Sequence, residues 1–276
     1  MSVSVINADC LDYLKGMDDN TVDFIVTSPP YADARKRQYG GLNPDEYVQW
    51  FLPISSELKR VLKSDGSFVL NIKEKCINGE RSTYVIELIL ALRQQGWKWI
   101  EEYIWHKKNS MCGKWKNRFR DGYERCLHFT KSMDFNMYQD AVKIPASEST
   151  QKRVKNLGEN DMKRHEESTG SGFGINVSNF VGRDMVYPDN VLHLACETGN
   201  KGHPAVYPER LAEWFVKLFS KEGDLVLDPF VGSGTTAVVC KKLNRNCLGI
   251  ELKKEYVELA EERIRSVSGQ TKLWQV

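Results

Sequence analysis

Apolar and polar positions along this chain repeat with two different periods. VDFIVTS, from Val22 to Ser28, is a short, nearly continuous apolar run rich in β-branched residues, which predicts a strand buried on both faces. From Pro44 to Leu62 the apolar residues Tyr47, Phe51, Ile54, Leu58 and Leu62 recur at helical spacing, and the pattern carries through Pro53. GSFVLNI, from Gly66 to Ile72, predicts a second strand, and TYVIELILALRQQG a helix ending at Gly96. KWIEEYIWHK, from Lys98 to Lys107, alternates like a strand, and ERCLHFTK, from Glu124 to Lys131, predicts another.

The pattern weakens at Ser132. From there to about Gly202 the chain is polar, bears glycine and serine (STGSGFGINVSN) and has little periodicity, so it reads as a separate subregion rather than one loop inside a compact domain. Order returns at Tyr207. PERLAEWFVKLFS predicts a helix with proline near its first turn, DLVLDPF a buried strand, GTTAVVCKKL a helix, NCLGIEL a strand and KKEYVELAEERIRSV an amphipathic helix. Strands alternating with helices predict an α/β fold around a mostly parallel sheet flanked by helices.

Composition narrows the class. The 276 residues can bury a full core. With 39 basic against 37 acidic residues the net charge is +2, so any polyanion partner has to be met by local clusters. The seven cysteines show no CxxC pair or metal-like spacing, and no signal peptide is read; reduced thiols in a cytoplasm-like compartment are expected, and no metal. No apolar run approaches the roughly 20 residues that span a bilayer, so no membrane partner is expected.

DLVLDPFVGSGTT, from Asp224 to Thr236, predicts a strand, a tight glycine turn and the start of a helix. Gly232 and Gly234 allow a sharp turn and close approach of a ligand. Glu251 ends the next strand, where a carboxylate can accept hydrogen bonds from ribose hydroxyls. No Lys follows the second glycine, which excludes a Walker loop, and Val238 stands where a dinucleotide fingerprint has its third glycine. The strand–turn–helix–strand–acid order favours an adenosine-containing ligand over a purely structural turn.

DPFVGSGTT together with TSPPY, from Thr27 to Tyr31, resembles the DNA amino-methyltransferases that use S-adenosyl-L-methionine. SPPY comes first, a variable region follows and the glycine element comes last, a permuted order that resembles the beta group. INADCLDYLKGM and HPAVYPERL resemble the elements that precede the catalytic and the glycine strands. The resemblance implies a Rossmann-like methyltransferase domain with a catalytic half over residues 1–131, an inserted target-recognition region over 132–202 and a cofactor half over 203–276. It puts Asp228, Pro229, Phe230, Gly232, Ser233, Gly234, Thr235 and Thr236 around the cofactor's methionine end. Asp9 would accept from the adenine amine with Cys10 beside it, Glu251 would hold the ribose, and His203, Pro204 and Ala205 would close the methionine side.

On that footing Ser28, Pro29, Pro30 and Tyr31 are the candidate catalytic residues. Methylating an exocyclic amine requires acceptors for its hydrogens, which favour the pyramidal, nucleophilic nitrogen as positive charge develops. Ser28 Oγ and the carbonyls of Ser28 or Pro29 can supply them, and the prolines stiffen the loop. Tyr31 offers a face for a base flipped out of double-stranded DNA. Serine before the prolines resembles the subgroup that methylates cytosine at N4, with adenine N6 the alternative, and such enzymes imply a cognate restriction endonuclease as functional partner. A non-catalytic protein that holds the cofactor or DNA is the rival class, against which the intact SPPY run stands.

Phosphate contacts are expected from Arg35, Lys36 and Arg37 beside that loop. The run from His106 to Lys131 carries Lys107, Lys108, Lys114, Lys116, Arg118, Arg120, Arg125 and Lys131 against Asp121 and Glu124, interleaved with Trp105, Trp115, Phe119 and Tyr123. Lys152, Arg153, Lys155, Lys163, Arg164 and Arg183 are candidates in the middle region.

Overall fold

A computed structural model of the chain describes residues 1–32, 42–110, 113, 116–156, 184–197 and 207–267. The chain divides into two compact units. One covers Met1–Tyr138 and resumes at Asp189; the other is Gln139–Pro188.

The first unit begins with β1 (Val3–Asn7), α1 (Cys10–Lys15), β2 (Val22–Thr27), α2 (Pro44–Val61) and β3 (Leu62–Ile72). A small hairpin, β4 (Cys76–Ile77) and β5 (Glu80–Arg81), leads to α3 (Tyr84–Gln94), β6 (Lys98–Lys107) and β7 (Tyr123–Thr130). The second unit has a 3-10 turn (Gln139–Val142), β8 (Ile144–Pro145), α4 (Glu148–Lys155) and β9 (Met185–Val186), with β8 and β9 paired antiparallel. The first unit then continues with β10 (Val191–Leu194), α5 (Glu209–Phe219), β11 (Leu225–Asp228), α6 (Thr235–Lys242), β12 (Asn246–Glu251) and α7 (Lys254–Ser266).

Eight strands form one sheet in the order β1-β12-β11-β2-β3-β7-β6-β10. The first five are mutually parallel, β7 is antiparallel to both of its neighbours, and β10 lies parallel to β6. The α/β class and the mostly parallel sheet are as expected. Helix α2 starts where its residues favour it: Asn43 Oδ1 accepts from Asp45 N at 3.2 Å, and Pro44 occupies the first turn, where its missing amide is not needed. Pro53 sits inside that helix on its exposed face. The apolar stripes of α2 and α3 close over the sheet around Phe68, Trp97 and Phe129, with ring centroids 5.3 Å apart for Phe68–Trp97 and 6.0 Å for Phe68–Phe129. Trp97 Nε1 donates to Ser55 Oγ at 2.8 Å, so the buried indole loses no hydrogen bond.

Three details differ from the expected pattern. β2 ends at Thr27, because the proline pair cannot continue a ladder, and Ser28 therefore opens the loop. β1 and β10 carry no strand signal of their own, since five residues with one Ser and one Asn, and four residues with a His, are too short for a period-2 pattern. The polar stretch from 132 to 202 overlaps the second unit, but 132–138 and 189–197 fold with the first, the latter carrying edge strand β10. Among the described residues no helix is long and apolar enough to cross a membrane, and the described cysteines are free thiols.

His128 on β7 is wholly enclosed. Its Nε2 lies 3.0 Å from Ser67 Oγ, its Nδ1 has no hydrogen-bond partner among the described residues, and Phe219 packs 4.4 Å from it centroid to centroid. Burial alone brings its pKa down to about 3. The folded protein keeps the ring neutral while the unfolded chain protonates it below about pH 6.5, so this contribution is complete above 6.5 and lost as pH falls from there towards 3. Urea unfolding of His128→Gln beside the parent is expected to give a shallower stability loss between pH 6.5 and 4, by up to about 1.4 kcal/mol per pH unit.

Candidate active site

The carboxyl ends of β1, β12, β11 and β2 lie side by side, and in a parallel sheet such a row is where ligands bind. Asp9 stands two residues beyond β1, Glu251 ends β12, Asp228 ends β11 and Ser28 follows β2. The register pairs Asn7 with Glu251, Asp228 with Gly249 and Leu227 with Ile25. With strands about 4.8 Å apart, the glycine turn and the SPPY loop, two hundred residues apart in sequence, become neighbours.

Asp228 makes that junction. It is 1 % exposed, and its charge is met by hydroxyls and an amide. Oδ1 accepts from Thr27 Oγ1 at 2.7 Å and from Phe230 N at 3.1 Å; Oδ2 accepts from Thr236 Oγ1 at 2.5 Å and from Tyr207 Oη at 3.3 Å. Tyr207 Oη also bonds Thr236 Oγ1. Burial pushes the carboxyl pKa up, and these donors pull it back. With both oxygens bonded from within the protein, the Asp228 carboxylate ties β2, β11, α6 and Tyr207 together.

The turn beyond it is held from the other side. Gly232 and Gly234 take φ of 52° and 83°, and a Cβ on Gly234 would stand 2.7 Å from Ala260 Cβ on α7. Arg263 on α7 donates to Ser233 O at 2.7 Å, Ser233 Oγ at 3.0 Å and Thr235 Oγ1 at 3.2 Å, and pairs with Glu209 at 3.3 Å. Ser233 and Thr235 are thus partly engaged in building the turn. Phe230 remains half-buried, its ring 5.7 Å from Trp50.

Glu251 accepts from Gly232 N at 3.1 Å through Oε2 and from Lys253 N at 2.9 Å through Oε1. Burial raises its pKa and the two amides oppose that. Each carboxylate oxygen retains a lone pair, the capacity a vicinal diol requires. Asp9 is exposed and caps α1, its Oδ1 accepting from Leu11 N at 2.9 Å and Asp12 N at 3.2 Å, which leaves Oδ2 to a ligand. Cys10 is buried behind it, its thiol pKa pushed up to about 12 by burial and by Asp9. Residues 203–205, and with them His203, Pro204 and Ala205, lie outside the described residues.

The SPPY loop leads into a polar chain that ends on a buried ion pair. Ser28 Oγ donates to Tyr31 Oη at 3.2 Å; Tyr31 Oη lies 2.7 Å from Glu124 Oε2 and 3.1 Å from Asn71 Oδ1; and Lys107 Nζ meets Glu124 Oε1 at 2.5 Å. Glu124, buried against the Lys107 ammonium, can only accept. The Tyr31 proton therefore points to Glu124 and the Ser28 proton points to Tyr31. Both Ser28 lone pairs are left unused within this chain. Tyr31 is half-buried against the core, with its pKa held far up by burial and by the Glu124 charge.

The basic run is less free than its sequence implies. Lys107 is taken by Glu124 and lies 4.8 Å over Trp105; Arg125 is paired with Glu102 at 2.6 Å and Glu74 at 2.8 Å; Lys131 donates to Asn20 at 2.8 Å. The expectation that Lys107 and Arg125 serve phosphates is corrected on this ground: their charges are neutralised inside the first unit. Lys108 and Lys116 are exposed, Arg120 bonds Ser110 O and Arg118 pairs with Asp121 at 3.5 Å. Lys152 is exposed on α4 in the second unit. Arg35, Lys36, Arg37 and Lys114, Lys163, Arg164 and Arg183, and the side chain of Arg153, lie outside the described residues. Sequence reasoning missed Tyr207, Arg263, Asn71 and the role of Glu124. Tyr207 stands within HPAVYPERL and Thr27 directly before SPPY, so adjacency to a motif was a usable signal there; for Arg263 and Glu124 there was none.

A family model described as DNA methylase matches residues 22–262. The type II methyltransferase M.PvuII of Proteus hauseri is 30 % identical over 276 residues, covering 92 % of this chain and 81 % of that relative. The solved PvuII DNA methyltransferase, described as cytosine-N4-specific, superposes with a TM-score of 0.73 at 25 % identity, over 98 % of this chain and 89 % of that one. M1.HpyAVI, solved as its SAM complex, shares the fold with a TM-score of 0.58 at 20 % identity, over 94 % of this chain and 98 % of that one.

Gly234→Ala is expected to lower the unfolding free energy by about 2–5 kcal/mol, from a left-handed backbone plus overpacking. Adding Ala260→Gly should recover some of the packing part but none of the backbone part, which thermal melts of the parent, both single variants and the double variant would separate from the cost of a glycine inside α7.

Proposed function

The chain belongs to the DNA methylase family, and within it we propose that it transfers a methyl group from S-adenosyl-L-methionine to the N4 amine of a cytosine flipped out of double-stranded DNA. The observation that carries this reading is the polarity of the Ser28–Tyr31–Glu124 chain, which leaves Ser28 as an acceptor beside the glycine turn. M.PvuII, a type II enzyme whose solved structure is described as cytosine-N4-specific, supports the choice of cytosine. The same relative supports a place in a restriction–modification pair, with a cognate restriction endonuclease as functional partner.

Glu251 would hold the ribose hydroxyls, Asp9 Oδ2 the adenine amine, and the backbone of Phe230 to Gly234 the methionine end, since the bare Gly232 leaves room against the turn. Bound there, the cofactor supplies an electrophilic methyl carbon on its sulfonium. Ser28 Oγ and the carbonyls of Ser28 and Pro29 accept the hydrogens of the attacking amine, an interaction that strengthens as the nitrogen gains positive charge. Pro29 and Pro30 hold those acceptors in place, so little reorganisation accompanies transfer. Tyr31 fixes Ser28 through its hydroxyl and lends its ring to the base. Residues 132–202, including Lys152 and Arg153, are assigned to target recognition, and Arg35, Lys36, Arg37, Lys114, Lys116, Arg118 and Arg120 to DNA contact.

Ser28→Ala is expected to lower kcat by about 10²–10³ with cofactor affinity unchanged, because it removes one acceptor in the transition state and none from the cofactor's binding site. Digestion of the methylated DNA to nucleosides and mass identification should give N4-methylcytosine. N6-methyladenine alone would overturn the cytosine assignment, and full transfer by Ser28→Ala would overturn the site.

A further inference from the structure

One aromatic side chain is placed where no fold needs it. Phe119, between β6 and β7, is 93 % exposed, although its neighbours on both sides are arginines. An isolated apolar side chain is ordinary on a protein surface, but this one is presented by a segment that is fastened down. Two residues on, Asp121 accepts from Arg81 Nη2 at 2.6 Å and pairs with Lys73 Nζ at 3.1 Å and, as a charge contact only, with Arg118 Nη1 at 3.5 Å. The carboxyl is held below the usual aspartate range by Lys73 and Arg81 in spite of its burial. Three cations converge on one carboxylate at the base of the segment.

The β4–β5 hairpin buttresses it. Asn78 and Gly79 take φ of 50° and 90°, the backbone of a tight two-residue hairpin turn, and Gly79 packs so closely on Asn117 that a Cβ there would lie 3.0 Å from its Nδ2. Cys76, Asn78, Gly79, Lys116, Asn117 and Arg118 line a cleft between the two, of about 570 Å³. Glu80 on the hairpin is exposed, and Glu74 shares Arg125 with Glu102.

Both elements spring from the residues that hold the catalytic loop. Lys73 follows Asn71 by two positions, and Asp121 precedes Glu124 by three; Asn71 and Glu124 are the partners of Tyr31. At no more than about 3.6 Å of chain per residue, Phe119 stands within roughly 18 Å of Glu124. Resting on the DNA methyltransferase reading above, we propose that Phe119 is a positioning residue that enters the duplex stack at the place vacated by the flipped base, while the cleft beside it takes a backbone phosphate. An apolar side chain in a basic segment suits that partner: the ring replaces lost stacking, and exposed Lys116, which lines the cleft, faces the phosphate. The transfer step itself does not involve Phe119.

The test compares paired and mismatched targets. On a fully paired cognate duplex Phe119→Ala should lower kcat/KM by about 10- to 100-fold, because extrusion of a stacked base loses its wedge. On a duplex mismatched at the target base, where extrusion is already easy, it should stay within about twofold of the parent. Phe119→Trp should restore the paired activity, and 2-aminopurine at the target position should fluoresce less with the alanine variant. Asp121→Asn, which loosens the segment without touching the ring, should show the same paired-only loss. Equal losses on both duplexes, or none, would overturn the proposal. Absence of transfer by the parent on either duplex would instead overturn the methyltransferase reading.

Discussion

A buried carboxylate without a cation is costly unless its oxygens are filled, and Asp228 is filled by three hydroxyls and one amide. Each donor comes from a different part of the chain: Thr27 from the end of β2, Phe230 from the glycine turn, Thr236 from the first turn of α6, Tyr207 from just before α5. Satisfying one charge therefore brings the cofactor-side turn and the SPPY loop into a single arrangement. Any slip of β2 against β11 would leave Asp228 short of a donor, so the register of the two central strands and the geometry of the site are one constraint.

A second ionic element works at the other side of the loop. The Lys107–Glu124 pair is worth little as a contribution to stability, since burial costs both charges their hydration. Its effect is directional: a carboxylate that can only accept sets the sense of every hydrogen bond upstream, through Tyr31 to Ser28. The half-site at Asp228 fixes where Ser28 sits, and the half-site at Glu124 fixes which way its hydroxyl points. Asp228 ends β11, and Glu124 stands at the amino end of antiparallel β7, beside the carboxyl end of β3, on the edge where such a sheet leaves room for a ligand.

Much of this was legible residue by residue. Most strands and helices with strong periodicity fall within a residue or two of their expected limits, as in Pro44–Val61 and Lys98–Lys107, while β3 starts at Leu62, four residues before the expected Gly66. The glycine turn was legible because positive φ restricts residue choice locally, and the SPPY loop because proline ends strands locally. The basic run is where local reading and fold diverge. Counting charges cannot separate Lys107 and Arg125, consumed by Glu124, Glu102 and Glu74, from Lys116, which stays exposed, because an ion pair between strands leaves no mark on either strand. Edge strand β10, four residues inside a polar stretch, is likewise defined by what it pairs with.

The sequence by itself determined the α/β class, the family resemblance and the two motifs, since these depend on periodicity and on backbone conformations that only certain residues adopt. Only the tertiary structure decided what the motif residues do. Asp228 has both oxygens bonded within the protein and ties strands together, and Tyr31 is a link in a chain ending on Glu124 and Lys107. The physical reason is that a buried polar group takes its role from the donors and acceptors around it, and those are brought together by sheet order, which no local stretch encodes.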